Sequence, residues 1–140
     1  MLSYLEEGVT NATNPGHDLH VIHNTFVNDR PEGGTFIRVA KDADPAEIIN
    51  NIFDGPGTVF VQDKLPVLIG NFVGDPLFVD ASNFDYHLQA GSPAIDGASG
   101  ATPYTPVYQY VHPACGEGRT SANDIGAYEF GAAGAVLTCR

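Results

Sequence analysis

Apolar residues in this chain fall in short runs, and the runs keep the same company. From Leu19 to Phe26 they alternate, with Leu19 and Val21 on one parity and His20 and Ile22 on the other, the signal of a half-buried strand. An aliphatic pair, a polar turn and a further apolar pair then recur three times. Val21-Ile22 precedes His23-Asn24-Thr25-Phe26, Ile48-Ile49 precedes Asn50-Asn51-Ile52-Phe53, and Leu68-Ile69 precedes Gly70-Asn71-Phe72-Val73. Between them a second phrase occurs twice, Gly34-Thr35-Phe36-Ile37-Arg38-Val39 and Gly57-Thr58-Val59-Phe60-Val61-Gln62. Self-similarity at such spacing marks a stacked architecture. The asparagines lie 27 and 20 residues apart, too uneven for a helical repeat but natural for a β-solenoid, whose loops vary while its strands stay in register.

Stacking has consequences for each column of side chains. Asn24, Asn51 and Asn71 form an amide ladder, with asparagine as the turn residue that tolerates left-handed backbone. Phe26 and Phe53 stack, with Val73 at the third level. Thr35 to Val39 and Thr58 to Gln62 are the next strands. Asp44-Pro45 predicts a single helical turn in the connection over 42–47, Asp44 capping it. Residues 1–16 are polar and turn-rich. Val21, Ile48 and Leu68 share one column and Ile22, Ile49 and Ile69 the next, so one column points inward and the other outward. A bare isoleucine ladder is too apolar for solvent. Either the C-terminal segment folds back over it or a second copy does; a bulge placing both columns inside is the remaining alternative.

The 140-residue length fits one domain with its own core. No apolar run is long enough for a membrane span, and the first residues lack the basic and apolar regions of a signal peptide. An exported protein would therefore have lost its leader here, or the chain is a fragment. The net charge of −11 is dispersed and leaves no basic patch for nucleic acid or anionic lipid. It also opposes polyanionic glycans unless a divalent cation intervenes. Cys115 and Cys139 are the only cysteines. They allow a disulfide contributing about 3 kcal/mol, or two thiols in a reducing compartment.

The C-terminal part is no repeat. Asp75-Pro76-Leu77-Phe78, Asp85-Tyr86-His87-Leu88, Gly91-Ser92-Pro93-Ala94-Ile95-Asp96 and Asp124-Ile125-Gly126-Ala127-Tyr128-Glu129 occur in that order, with a long Tyr-, Pro- and Gly-rich loop before the last. These phrases, with the Asn-Phe repeats, resemble the end of bacterial right-handed parallel β-helix proteins of the pectate-lyase-like superfamily. The resemblance spans residues 17–130. It implies an all-β, short right-handed parallel β-helix of about three coils over residues 1–74, with residues 75–140 as a C-terminal capping segment, in a parent protein that is extracellular or attached to the cell surface. Family members usually carry more coils. The first coil here should thus have an open top with unpaired strand edges, and the chain is expected to self-associate through that end or through Ile22, Ile49 and Ile69.

Lyases of that superfamily abstract a proton beside a uronate carboxylate, which needs a base and a cation. The weak catalytic candidates are His20, His23, Arg38 and Lys41; on a regular strand His20 points away from His17 and His23, so these do not converge on a metal. Asp75, Asp80 and Asp85 form an oxygen-rich series that could take Ca²⁺, although turn-capping explains them equally. Tyr104, Tyr108 and Tyr110 offer a stacking platform for sugar rings or packing for their loop. With few cations and three coils, the expected role is a non-catalytic structural or carbohydrate-binding module that needs no cofactor, calcium apart. The alternative is a polysaccharide lyase or glycoside hydrolase.

Overall fold

The computed structural model describes residues 1–4, 17–40, 43–100, 102–120, 123–132, 134 and 136. The fold is all-β, and the only helical element among these residues is a 3-10 turn at Ala81–Asn83. Nine short strands build three parallel sheets, each three strands deep. The first joins β1 (Leu2–Tyr4), β4 (Thr35–Val39) and β7 (Thr58–Val61); the second β2 (His20–Ile22), β5 (Glu47–Ile49) and β8 (Val67–Ile69); the third β3 (Thr25–Val27), β6 (Ile52–Asp54) and β9 (Phe72–Val73). The chain visits the sheets in rotation, a β-helix-like stack.

The registers are those of the sequence columns. Val21 pairs with Ile48 and Ile48 with Leu68; Phe26 pairs with Phe53 and Phe53 with Val73; Thr35 pairs with Thr58. The Phe26 and Phe53 rings stack at 5.1 Å and 5°. The asparagine ladder is present too. Asn24 Nδ2 donates to Asn51 Oδ1 at 3.2 Å, and Asn51 Nδ2 to Asn71 Oδ1 at 3.0 Å. The left-handed position is not the ladder asparagine, however, but the residue before it: His23, Asn50 and Gly70 have φ of 52°, 55° and 62°. Turning the corner one residue earlier frees the asparagine side chain to reach the next level.

Two apolar cores result. The inner one gathers Val21, Ile37, Val39, Ile48 and Phe53, with Leu2, Tyr4 and Leu19 packed on it from the first level. The outer one lies beyond the third sheet, where Ile52 and Phe72 meet Phe78, Leu88, Ala94 and Ile125. Its covering layer is the chain after residue 74. That part contains two antiparallel hairpins, β10 (Phe78–Asp80) with β11 (Asp85–Leu88), and β12 (Tyr108–Val111) with β13 (Cys115–Gly118).

Several expectations change. Leu2–Tyr4 is a strand, because Leu2 and Tyr4 pair with Ile37 and Val39 and bury apolar side chains. Ala43–Ala46 form no helical turn; Ala43 and Ala46 are buried, and Gln62 Nε2 holds the Ala43 and Asp44 carbonyls at 3.2 and 3.0 Å. The supposed long loop carries the β12–β13 hairpin. The described residues after 74 pack on the flank of the third sheet and leave the last level open: Ile48 and Phe53 are fully buried, whereas Leu68 and Val73 below them are 55% and 61% exposed. The inner apolar columns are therefore open at the last level, while β1, β2 and β3 keep the unpaired outer edges expected at the first, among the described residues. The isoleucine column is met by the same chain, since Ser99 N bonds Asn50 Oδ1 at 2.9 Å and Gly100 lies against Ile69, while Ile49 is buried. The expected interface there is in large part internal.

Asn51 is wholly buried. Its Oδ1 accepts from Asn24 N at 2.8 Å, and its Nδ2 hydrogens are shared among Asn71 Oδ1 and the Val21 and Ile49 carbonyls. Asn51→Ala should cost about 3 kcal/mol, since stranded buried backbone groups cost about 1–3 kcal/mol each. Asn24→Ala, exposed at the ladder's end, should cost about 1 kcal/mol. Urea unfolding of both variants measures this; equal losses would show that the buried amide is not special.

Candidate functional site

The richest convergence of side chains lies between the two hairpins. A cleft of about 450 Å³ is lined by Phe84, Asp85, Tyr86, His87, Tyr110 and Tyr128, with Asn83, Val111 and His112 at its margins. Strand alternation sets its floor. On β11 Leu88 turns into the outer core, and Tyr86 meets Phe78 edge-on at 5.2 Å, while His87 remains exposed. Phe84 occupies the hairpin corner with φ 63° and is largely exposed. On β12 Gln109 is buried and Tyr108 and Tyr110 project outward, opposite Gly118 and Gly116. Glycine partners leave both rings free faces.

Polar groups are fixed around these rings. Asp85 Oδ1 lies 2.6 Å from His87 Nδ1 and also accepts from the His87 backbone N–H. The imidazole hydrogen bond, above all, holds the Asp85 carboxyl below its ordinary range. An ionised carboxylate only accepts, so Nδ1 is the donor and Nε2 of a neutral His87 is left as an acceptor. The His87 ring lies 4.1 Å from that of Tyr128. Burial, then Asp85 and Tyr110, push the Tyr128 phenol up, keeping it a hydrogen-bond donor. Tyr110 donates its hydroxyl to the Pro113 carbonyl at 2.9 Å. Aromatic faces, a carboxylate and imidazoles thus share one hollow, and no Lys or Arg among the described residues lines it. A second hollow, about 510 Å³ beside Phe26–Arg30 and Gly33–Phe36, is larger but offers only Asp29 and Arg30 as charged side chains.

The candidates named from sequence are scattered. His20 pairs with Glu47 at 2.8 Å and lies against the Tyr104 ring at 4.4 Å. Of the three tyrosines only Tyr110 lines the cleft. Arg38 is exposed on β4, in another sheet from His20. Lys41 lies outside the described residues. Asp75, Asp80 and Asp85 are not brought together: each accepts a hydrogen bond inside its own turn, from Leu77 N, from Ser82 and Asn83, and from His87 respectively. Asp80 faces Asp85 across the hairpin, whereas Asp75 neighbours Asp54. Among the described residues no group of three His, Cys, Asp or Glu side chains is arranged to hold a metal. Cys115 is buried and not a free thiol; Cys139, its expected partner, lies outside the described residues. Phe84, His87, His112 and Tyr128 were missed as cleft residues. The shared parity of Asp85 and His87 was the one available signal.

His23 is structural. It is buried where the C-terminal segment meets the stack, and the Asp124 carbonyl 3.0 Å from Nδ1 can only accept, so Nδ1 carries the hydrogen. Nε2 then accepts from Asn50 Nδ2 at 3.2 Å. Arg119 lies close by, fully buried against Glu129, and donates to the Asp124 and Gly126 carbonyls. Comparison with family models, characterised proteins and solved structures finds no match to this chain.

Burial, and then Arg119, lower the His23 pKa. Its unfolded value is about 6.5, so the unfolded chain takes up the proton first. Stability is full above that value and falls as pH drops through it toward the lower folded value. Between pH 7.5 and 5.5 the melting temperature should decline, and His23→Asn, the residue used one level on, should flatten that decline. An unchanged pH profile in His23→Asn would show that another group is responsible.

Proposed function

We propose that the chain is a right-handed β-helix module of the pectate-lyase-like type that binds a carbohydrate at the aromatic cleft without transforming it. Residues 1–74 supply the coils and residues 75–140 the flanking segment that carries the cleft, in a protein that is exported or surface-attached. One observation carries this reading: Phe84, Tyr110 and Tyr128 surround a hollow that also holds the Asp85–His87 pair. Sugars present C–H faces that stack on aromatic rings and hydroxyls that pair with fixed acceptors and donors, and the hollow's volume falls in the usual ligand range.

The lining also favours binding over catalysis. Glycoside hydrolysis uses two carboxylates across the bond, and Asp85 is the only one lining this cleft among the described residues. Uronate β-elimination needs a cation for the developing charge, and the lining contains no Lys or Arg among the described residues. With a carboxylate in the cleft and a net charge of −11, the ligand is a neutral rather than a uronate-rich glycan, and calcium is not required. The expected Cys115–Cys139 disulfide belongs to the same exported setting.

Calorimetric titration against neutral and acidic polysaccharides, with calcium and with chelator, tests this. A neutral glycan should bind, and Tyr110→Ala or Tyr128→Ala should each weaken it about five- to tenfold, as for a stacking contact of about 1 kcal/mol. Tyr104→Ala should leave affinity unchanged. Undiminished binding by the two cleft variants would remove the cleft from the reading. Release of unsaturated uronate product or of reducing ends would replace it with catalysis.

A further inference from the structure

We infer that the last level of the stack is the contact surface for a second copy of this chain, the two meeting tail to tail about a two-fold axis. Three observations lead there. The inner columns that are sealed at the middle level are open at the last: Ile48 and Phe53 are fully buried, while Leu68 and Val73 are 55% and 61% exposed. Leu65 and Val67 extend this apolar surface. Strands β7, β8 and β9 are also the outer members of the three sheets at this end, each with one edge unpaired among the described residues. Finally, residues 58–74 carry one acid and one base, Asp63 and Lys64, in a chain of net charge −11. This end therefore adds no net charge that would repel a second copy.

These features select the occupant. A lipid surface could bury the leucine and valines but could not satisfy the strand edges, whose N–H and C=O groups need β partners. A single peptide strand would satisfy one edge of the three. Another stack end presents edges in the same arrangement and an apolar centre between them. The first level of a second copy does not offer that centre, because Val21 there is buried with Leu2, Tyr4 and Leu19 packed around the inner core. The last level of the second copy does. A two-fold contact of this kind pairs the edges antiparallel and closes at two copies, whereas head-to-tail stacking would continue.

Sedimentation equilibrium of the full chain at micromolar concentration decides it. The expected mass is twice the 14.8 kDa chain, little affected by added salt because the contact is uncharged. Val73→Lys and Leu68→Lys should each return it to a single copy, with the circular dichroism spectrum and the melting transition at low concentration retained. Val73, the more exposed, keeps the test valid if Leu68→Lys does not fold. A wild-type mass of one copy, a mass that grows beyond two, or lysine variants that remain dimeric would each overturn the inference. Glycan binding at the cleft, which neither Leu68 nor Val73 lines, should be unaffected by either variant, so the two readings fail separately.

Discussion

A buried amide governs the stack. A primary amide side chain has two donor hydrogens and an acceptor oxygen, enough to bond the level above, the level below and its own turn at once. Asn51 uses all of this capacity while excluded from water, so a slip in register would strand donors and acceptors in an apolar setting. Aliphatic columns alone would tolerate such a slip far better. The ladder makes the Val21–Ile48–Leu68 and Phe26–Phe53–Val73 alignments obligatory, and the inner core follows from them.

The same corner that frees the asparagines also receives the C-terminal segment. Left-handed backbone at His23 and Asn50 brings their side chains to a point where residues 98–100 and 123–127 can bond them. Asn50 Oδ1 takes Ser99 N, the Asn50 carbonyl takes Gly126 N, and Thr25 Oγ1 takes Ala127 N. The buried Arg119–Glu129 pair then clamps the incoming loop by its carbonyls. Breaking one partner of such a pair leaves a naked buried charge. Attachment of the flank therefore combines these polar contacts with the apolar outer core.

The resulting molecule has two unlike surfaces. The flank carries aromatic rings and imidazoles around a carboxylate. The last level carries uncharged aliphatic side chains and strand edges. Neither surface borrows a residue from the other.

Much of the stack was legible in the chain. The column registers, the asparagine ladder, the Phe26–Phe53 stack and the equivalence of His23 with Asn50 are all short-range periodic facts, and period-two alternation with recurring turns encodes them directly. The left-handed residue was misplaced by one because asparagine and histidine both tolerate that backbone, and only the ladder geometry separates them. The cleft was only glimpsed: Tyr110 and Asp85 were singled out for different reasons, and Tyr128 and Phe84 not at all. Residues 84 and 128 are neighbours only because two hairpins settle side by side on the outer core, a long-range contact with no periodic trace. The end at which the inner apolar columns are open was likewise decided by tertiary structure. Alternation says which side chains point inward at every level, but whether an inward side chain meets a partner depends on where distant segments come to rest.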